Sequence, residues 1–169
     1  MNPRNPRLRA LAALLVATFA AACGSDDVAP TDPVPEALAG KWEARPDCRP
    51  TCDFSVTLTQ SGQTVSLLEP PISASIEIEV ATGGGFVMRA RLLGRDFVSA
   101  GTARTEGSTV YITLPTGAVD TATYSVSGST LTLEYKNEIR SIDFTGDDQP
   151  DPGRVRAVLR RSPQPALNQ

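Results

Sequence analysis

The sequence predicts an all-β fold: an antiparallel meander closed into a barrel of eight to ten strands, with a β-sandwich as the alternative. Three observations predict it. After residue 37, apolar residues recur at every second position through run after run, the period of a strand with one dry face. Between the runs lie links with hairpin chemistry, Ser61-Gly62, Gly83-Gly84-Gly85, Gly107-Ser108, Gly128-Ser129 and Lys136-Asn137. No window in that region carries a helical period. Ten or eleven candidate strands result, and a meander of that size must close to remove its exposed edges.

The chain opens with Arg4, Arg7 and Arg9, then an apolar run over residues 11–22 that ends Ala20-Ala21-Ala22. A positive segment, a short apolar segment and small residues define a secretory signal peptide, predicted here over residues 1–22. The run falls short of the roughly 20 residues needed to span a bilayer. Cys23 follows directly, and Ala20-Ala21-Ala22-Cys23 resembles the lipobox of bacterial lipoproteins, with Ala20 where that box usually has leucine. The resemblance implies cleavage before Cys23, acylation of its sulfur and membrane attachment through the lipid. An ordinary cleaved signal followed by a free cysteine is the alternative. Gly24, in place of an aspartate retention signal, implies by the same resemblance an outer-membrane lipoprotein facing periplasm or surface. Residues 23–37, with Asp26, Asp27, Pro30, Asp32, Pro33 and Pro35, are too polar and proline-rich to form a core and are expected to be a disordered tether.

The strands follow in order over residues 38–161. Phe54, Val56 and Leu58 alternate with polar residues, as do Ile72, Ala74, Ile76, Ile78 and Val80. Val110, Ile112 and Leu114, then Ala122, Tyr124 and Val126, then Leu131, Leu133 and Tyr135, then Val155, Ala157 and Leu159 repeat the pattern. The turns predict registers. Gly128-Ser129 sets Val126 opposite Leu131, Tyr124 opposite Leu133 and Ala122 opposite Tyr135. Gly107-Ser108 sets Val110, Ile112 and Leu114 against Thr105, Ala103 and Gly101. Ser61-Gly62 sets Leu58 against Val65 and Val56 against Leu67. A tip spanning residues 82–86 sets Val80 against Met88, Ile78 against Ala90 and Ile76 against Leu92, with ion pairs Glu79–Arg89 and Glu77–Arg91 on the wet face. Residues 162–169 are polar and proline-interrupted, and are expected to form a disordered tail.

Gly40-Lys41-Trp42 opens the first strand, and Arg154-Val155-Arg156-Ala157-Val158-Leu159-Arg160-Arg161 ends the last. This arrangement resembles the lipocalin superfamily, whose first strand carries Gly-x-Trp and whose last supplies an arginine over the tryptophan. The hairpin from Tyr124 to Leu133 is similar to one in bacterial lipocalin-like lipoproteins. The resemblance implies that Trp42 plugs one barrel end with Arg160 or Arg161 stacked on it, a contact contributing about 0.5–2 kcal/mol. The chain departs from lipocalins in its strand count and in lacking a helix after the last strand.

From residue 23 onward the chain holds 13 basic and 19 acidic residues, a net charge of −6. Such a surface disfavours nucleic acid as a partner. Cys48 and Cys52 remain as an even pair in an exported chain, and a disulfide is expected between them. With no histidine anywhere, Ser-His-Asp and Cys-His arrangements are excluded, and Glu77 and Glu79 share a polar strand face. No enzyme activity and no cofactor are expected. Asp143, Asp147 and Asp151, with Thr145 and Gln149, resemble the calcium loop of FG-GAP-type repeats. Thr145 and Asp148 depart from that pattern, and a plain acidic loop without metal is the reading adopted.

Two functions follow. A lipid-anchored barrel could bind a small apolar ligand, with Phe54, Val56, Phe86, Met88, Phe97, Tyr124 and Tyr135 as lining candidates. The same residues could instead fill the core of an envelope interaction protein that binds no small ligand, its protein partner unspecified by the sequence.

Overall fold

Period-2 alternation produces strands here because each run can bury one face against the others. In the computed structural model, which describes residues 34–140, 142–144 and 149–162, ten strands form one antiparallel sheet. They are β1 Gly40–Ala44, β2 Asp53–Leu58, β3 Thr64–Ser66, β4 Ser75–Val80, β5 Gly85–Leu92, β6 Arg95–Glu106, β7 Thr109–Thr113, β8 Val119–Ser127, β9 Thr130–Ile139 and β10 Gly153–Arg161. Eight of them, β1 and β4 to β10, close a ring in which β1 pairs with both β4 and β10. The sheet is a barrel, which disposes of the sandwich alternative. The signal peptide over 1–22, Cys23, most of the tether, the tail beyond Ser162, and Asp147 lie outside the described residues.

The two extra strands extend the ring's staves lengthwise. β9 occupies one edge of β10 from Gly153 to Arg160. The other edge takes β1 at Arg160 and Arg161, then β2 from Val158 back to Gly153. β1 and β2 are therefore two halves of one stave, separated by a loop over residues 45–52 that leaves the wall and returns to it. β3 and β4 mirror this, pairing with β2 and β1 respectively. Their own excursion is pinched where Ala74 N–H donates to Leu67 O, 2.7 Å. Prolines at 46, 50, 70 and 71 mark both interruptions, because proline cannot donate to a ladder. The first excursion is stapled by the Cys48–Cys52 disulfide, Cα–Cα 5.5 Å, and an ion pair between Arg49 and Glu69 clasps it to the second.

Two of the four expected registers are present. β8 and β9 pair Val126 with Leu131, Tyr124 with Leu133 and Ala122 with Tyr135. β6 and β7 pair Thr105 with Val110 and Ala103 with Ile112. The other two are displaced by two residues. Val56 opposes Val65 rather than Leu67, because the turn holds four residues, 59–62, closed by Leu58 N–H to Gln63 O at 2.8 Å. Glu79 opposes Val87, and Glu77 opposes Arg89, so the Glu79–Arg89 and Glu77–Arg91 ladder is incorrect. The tip is a three-residue loop, 82–84, closed by Ala81 N–H to Gly85 O at 2.8 Å. Gly84 supplies the left-handed backbone such a loop needs, φ +85°. Arg89 still reaches both acids, at 3.2 Å from Glu77 and 4.0 Å from Glu79.

The core is continuous through the barrel. Trp42, Ala44, Val56, Ile78, Ala122, Leu131, Ala157 and Leu159 are fully buried. Packing also reaches back to Val34 and Leu38, at 6% and 2% exposure, so part of the stretch expected to be tether belongs to the core. Val34 is the reason: it is the apolar residue just before Pro35, whose carbonyl receives the Leu38 and Ala39 N–H groups and turns the chain over the barrel.

Candidate functional site at the two ends of the barrel

Strand direction assigns the ends. One end gathers the start of β1, the β4–β5 turn and the end of β10; the other gathers the starts of β6, β8 and β10.

At the first end Trp42 is fully buried, and its Nε1–H donates to Leu38 O at 2.9 Å. The Arg161 guanidinium lies over the indole, 4.3 Å from its centroid. Its two terminal nitrogens donate to Ala39 O and Ala37 O, both at 3.0 Å. Gly40 makes room for this group: at φ +131°, a Cβ there would sit 2.6 Å from the Arg161 Nη1. Arg160 turns the other way, to the outer face. Its Nε and Nη2 donate to Glu43 Oε1 at 3.1 and 3.0 Å. Glu43 is 3% exposed despite its outward phase, because Arg45 and Ser162 also close over it. Glu43 also stands directly opposite Glu77. Like charges so placed repel, and each is neutralised on its other side, by Arg160 and Arg89.

The second end is different. The β6 ladder with β7 begins at Thr102, leaving residues 95–101 paired with β5 alone along that stretch. Leu93, Val98 and Val119 are exposed at 57%, 71% and 52%, all toward this end. On the inner face Met88, Ala90, Leu92, Leu114 and Ile139 are half-buried against the core.

A polar group sits among them. Asp120 opposes Ile112, so it shares the inner face. Its Oδ1 receives the Thr121 N–H at 3.0 Å and an Asn137 Nδ2–H at 2.9 Å. Burial pushes its carboxyl above the ordinary aspartate value, and those two donors pull against the rise. Tyr135, opposite Ala122 on the same face, has a buried hydroxyl with no hydrogen-bond partner. Burial and, to a lesser degree, the Asp120 charge raise its phenol well above the usual value. A bulge in β9 lies at this point. Arg156 pairs with Glu134 and Arg154 with Glu138, so Tyr135, Lys136 and Asn137 face Val155 alone. Bulges of this kind re-aim side chains at functional positions.

The seven expected lining residues are spread along the barrel rather than gathered in one place. Phe54, Val56 and Phe86 are buried in the core, Phe86 at the Trp42 end, where it opposes Val80. Tyr124 is half-buried and its hydroxyl donates to Gly107 O at 3.2 Å, also at the Trp42 end. Met88, Phe97 and Tyr135 are half-buried from mid-barrel toward the opposite end. Asp120 and Asn137 were absent from the sequence-derived set. The signal was the parity of Ala122, Tyr124 and Val126, which places Asp120 on the same face.

In the acidic loop, Asp151 Oδ2 accepts the Phe144 N–H at 2.8 Å and the Asp151 N–H donates to Ile142 O. Asp151 thus ties to Phe144 and Ile142, and among the described residues no group of three or more His, Cys, Asp or Glu is arranged to hold a metal.

The class defined by these observations is a closed antiparallel barrel, plugged at one end. A crystal structure of a lipoprotein YedD from Klebsiella pneumoniae aligns over 80% of each chain, with 13% identity and a TM-score of 0.41. No family model and no curated protein matches the chain.

Proposed function

We propose that this is an exported, lipid-anchored, lipocalin-like protein of the bacterial cell envelope that binds a small, mainly apolar molecule through the barrel end opposite Trp42. Export and anchoring rest on the basic segment, the apolar run and Cys23. The outer membrane is the favoured location, on the ground of Gly24. The observation that carries ligand binding is the contrast between the ends: one is closed by Trp42 and Arg161, while half-buried apolar side chains, the half-buried Asp120 and a buried Tyr135 hydroxyl collect at the other. Small barrels hold a ligand at a mouth lined in this way. The role is one of binding rather than catalysis.

A second reading, an envelope structural or interaction lipoprotein with a filled barrel, is favoured by the run of fully buried residues from Val56 to Leu159. A fluorescent-probe assay on the full chain carrying Cys23→Ser separates the two. Saturable micromolar binding of an uncharged twelve-carbon probe supports the first reading, and no binding across several probe classes supports the second. Incorporation of a palmitate analogue, abolished by Cys23→Ser, tests the anchor; labelling that survives the substitution removes it.

A further inference from the structure

The polar cluster at the second end lacks one member. Asp120 accepts two hydrogen bonds on Oδ1, and its Oδ2 accepts none from the described residues. None of the described lysines or arginines forms an ion pair with it, although the outer wall is laced with such pairs, Arg160–Glu43, Arg89–Glu77 and Arg156–Asp53 among them. The Tyr135 hydroxyl is buried beside it without a partner. The Tyr135 hydroxyl, as a buried polar atom, calls for a partner from protein, water or ligand, while Asp120 is half-buried at the barrel end. A carboxylate oxygen accepts but does not donate, and a phenol oxygen accepts as well as donates. One group that offers several N–H donors suits both positions.

We propose that the barrel takes an amphiphile ending in a protonated amine, which donates to Asp120 Oδ2 and Tyr135 Oη while its apolar chain lies against Leu92, Phe97, Leu114 and Ile139. This rests on the reading that the barrel binds a small molecule, and it specifies the class. A cation here relieves the burial penalty on the Asp120 charge. The tyrosine ring adds an aromatic surface of the kind that attracts ammonium groups. The same carboxylate repels a fatty acid head group, so the ligand class is the reverse of the one an apolar barrel alone suggests. The β9 bulge gives a structural origin for the cluster: it displaces Tyr135 and Asn137 from a regular ladder beside Ala122, which faces Tyr135, and Asp120, which bonds Asn137.

The test uses three twelve-carbon probes with the same fluorophore, ending in a primary amine, a carboxylate or a hydroxyl, titrated against the full chain carrying Cys23→Ser at low and moderate salt. The amine probe is expected to bind at least tenfold more tightly than the carboxylate probe. Asp120→Asn should erase that preference, Tyr135→Phe should weaken amine binding severalfold, and Asp96→Asn, an exposed carboxylate at the same end, should change nothing. The wild-type preference is read without any variant, so a misfolded variant does not blunt the test. Equal binding of all three probes, or an amine preference that survives Asp120→Asn, overturns this proposal and leaves ligand binding intact. Failure of all three probes to bind, with the cluster satisfied by water alone, overturns both.

Discussion

The two ends of the barrel are built from the same strands and treat polar atoms in opposite ways. At the Trp42 end the indole N–H and the Arg161 guanidinium are spent on backbone carbonyls, and the buried Glu43 is held by Arg160 and Arg45. At the Asp120 end a carboxyl is half-buried without a cation and a hydroxyl is buried without a partner. The first arrangement stabilises the fold. The second costs stability, which is the usual mark of a place kept for something other than folding. Polar substitutions should therefore have opposite signs at the two ends.

The largest effect is expected at Trp42. Trp42→Ala removes a fully buried ring together with its hydrogen bond and the Arg161 contact, and should cost about 3–5 kcal/mol in urea unfolding. A cost near zero would mean that the plugged end is not the stable one. Next comes Glu43→Gln, which leaves Arg160 and Arg45 without their counter-charge. Breaking a fully buried pair costs more, but Arg160 is 40% exposed, so about 2 kcal/mol is expected.

At the other end the sign reverses. Asp120→Asn keeps acceptors for the Thr121 and Asn137 donors and removes the half-buried charge, so it should raise the melting temperature at pH 7. The folded chain holds the Asp120 proton more tightly than the unfolded chain does. This group's contribution to stability is therefore greatest below the ordinary value of 3.8 and falls as pH rises through the folded value. The advantage of Asp120→Asn should accordingly shrink as the solution is acidified toward pH 3. An advantage that grows on acidification would contradict the assignment. The smallest effect belongs to Tyr135→Phe. Deleting a hydroxyl that has no partner should be neutral or stabilising by up to about 1 kcal/mol. A clear loss would show that the hydroxyl is satisfied in solution, and would narrow the contrast between the ends.

How much of this was legible in the sequence depends on what alternation encodes. It encodes parity, which sends Ile76, Ile78 and Val80 inward whichever residues they oppose. A slip of two residues conserves parity, and for that reason the β2–β3 and β4–β5 pairings escaped while their faces did not. The β8–β9 and β6–β7 registers were readable because Gly128-Ser129 and Gly107-Ser108 form two-residue turns with no slack. The strand count was legible, ten strands being present, but not that four of them form two staves. The prolines that interrupt β1/β2 and β3/β4 look in one dimension like boundaries between neighbours, and in three dimensions they are breaks within a stave. Glu43 was invisible because its burial comes from Arg160 and Ser162, more than a hundred residues away. Asp120 was readable by parity, although the residues just before it, Pro115-Thr116-Gly117-Ala118, have the composition of a turn.

Because β10 carries β9 along one edge and both halves of the first stave along the other, it works as a keystone. A chain that ends before Gly153 does not become a barrel with one stave fewer. It has three unpaired margins, on β1, β2 and β9, and it loses the arginine that covers Trp42. Such a product cannot rest in a nearly native state, and unpaired strand margins invite association with other chains. Closure thus ties the integrity of the fold to the completeness of synthesis: products of premature termination or C-terminal clipping are exposed to proteases, while the finished chain presents no such handle along this seam.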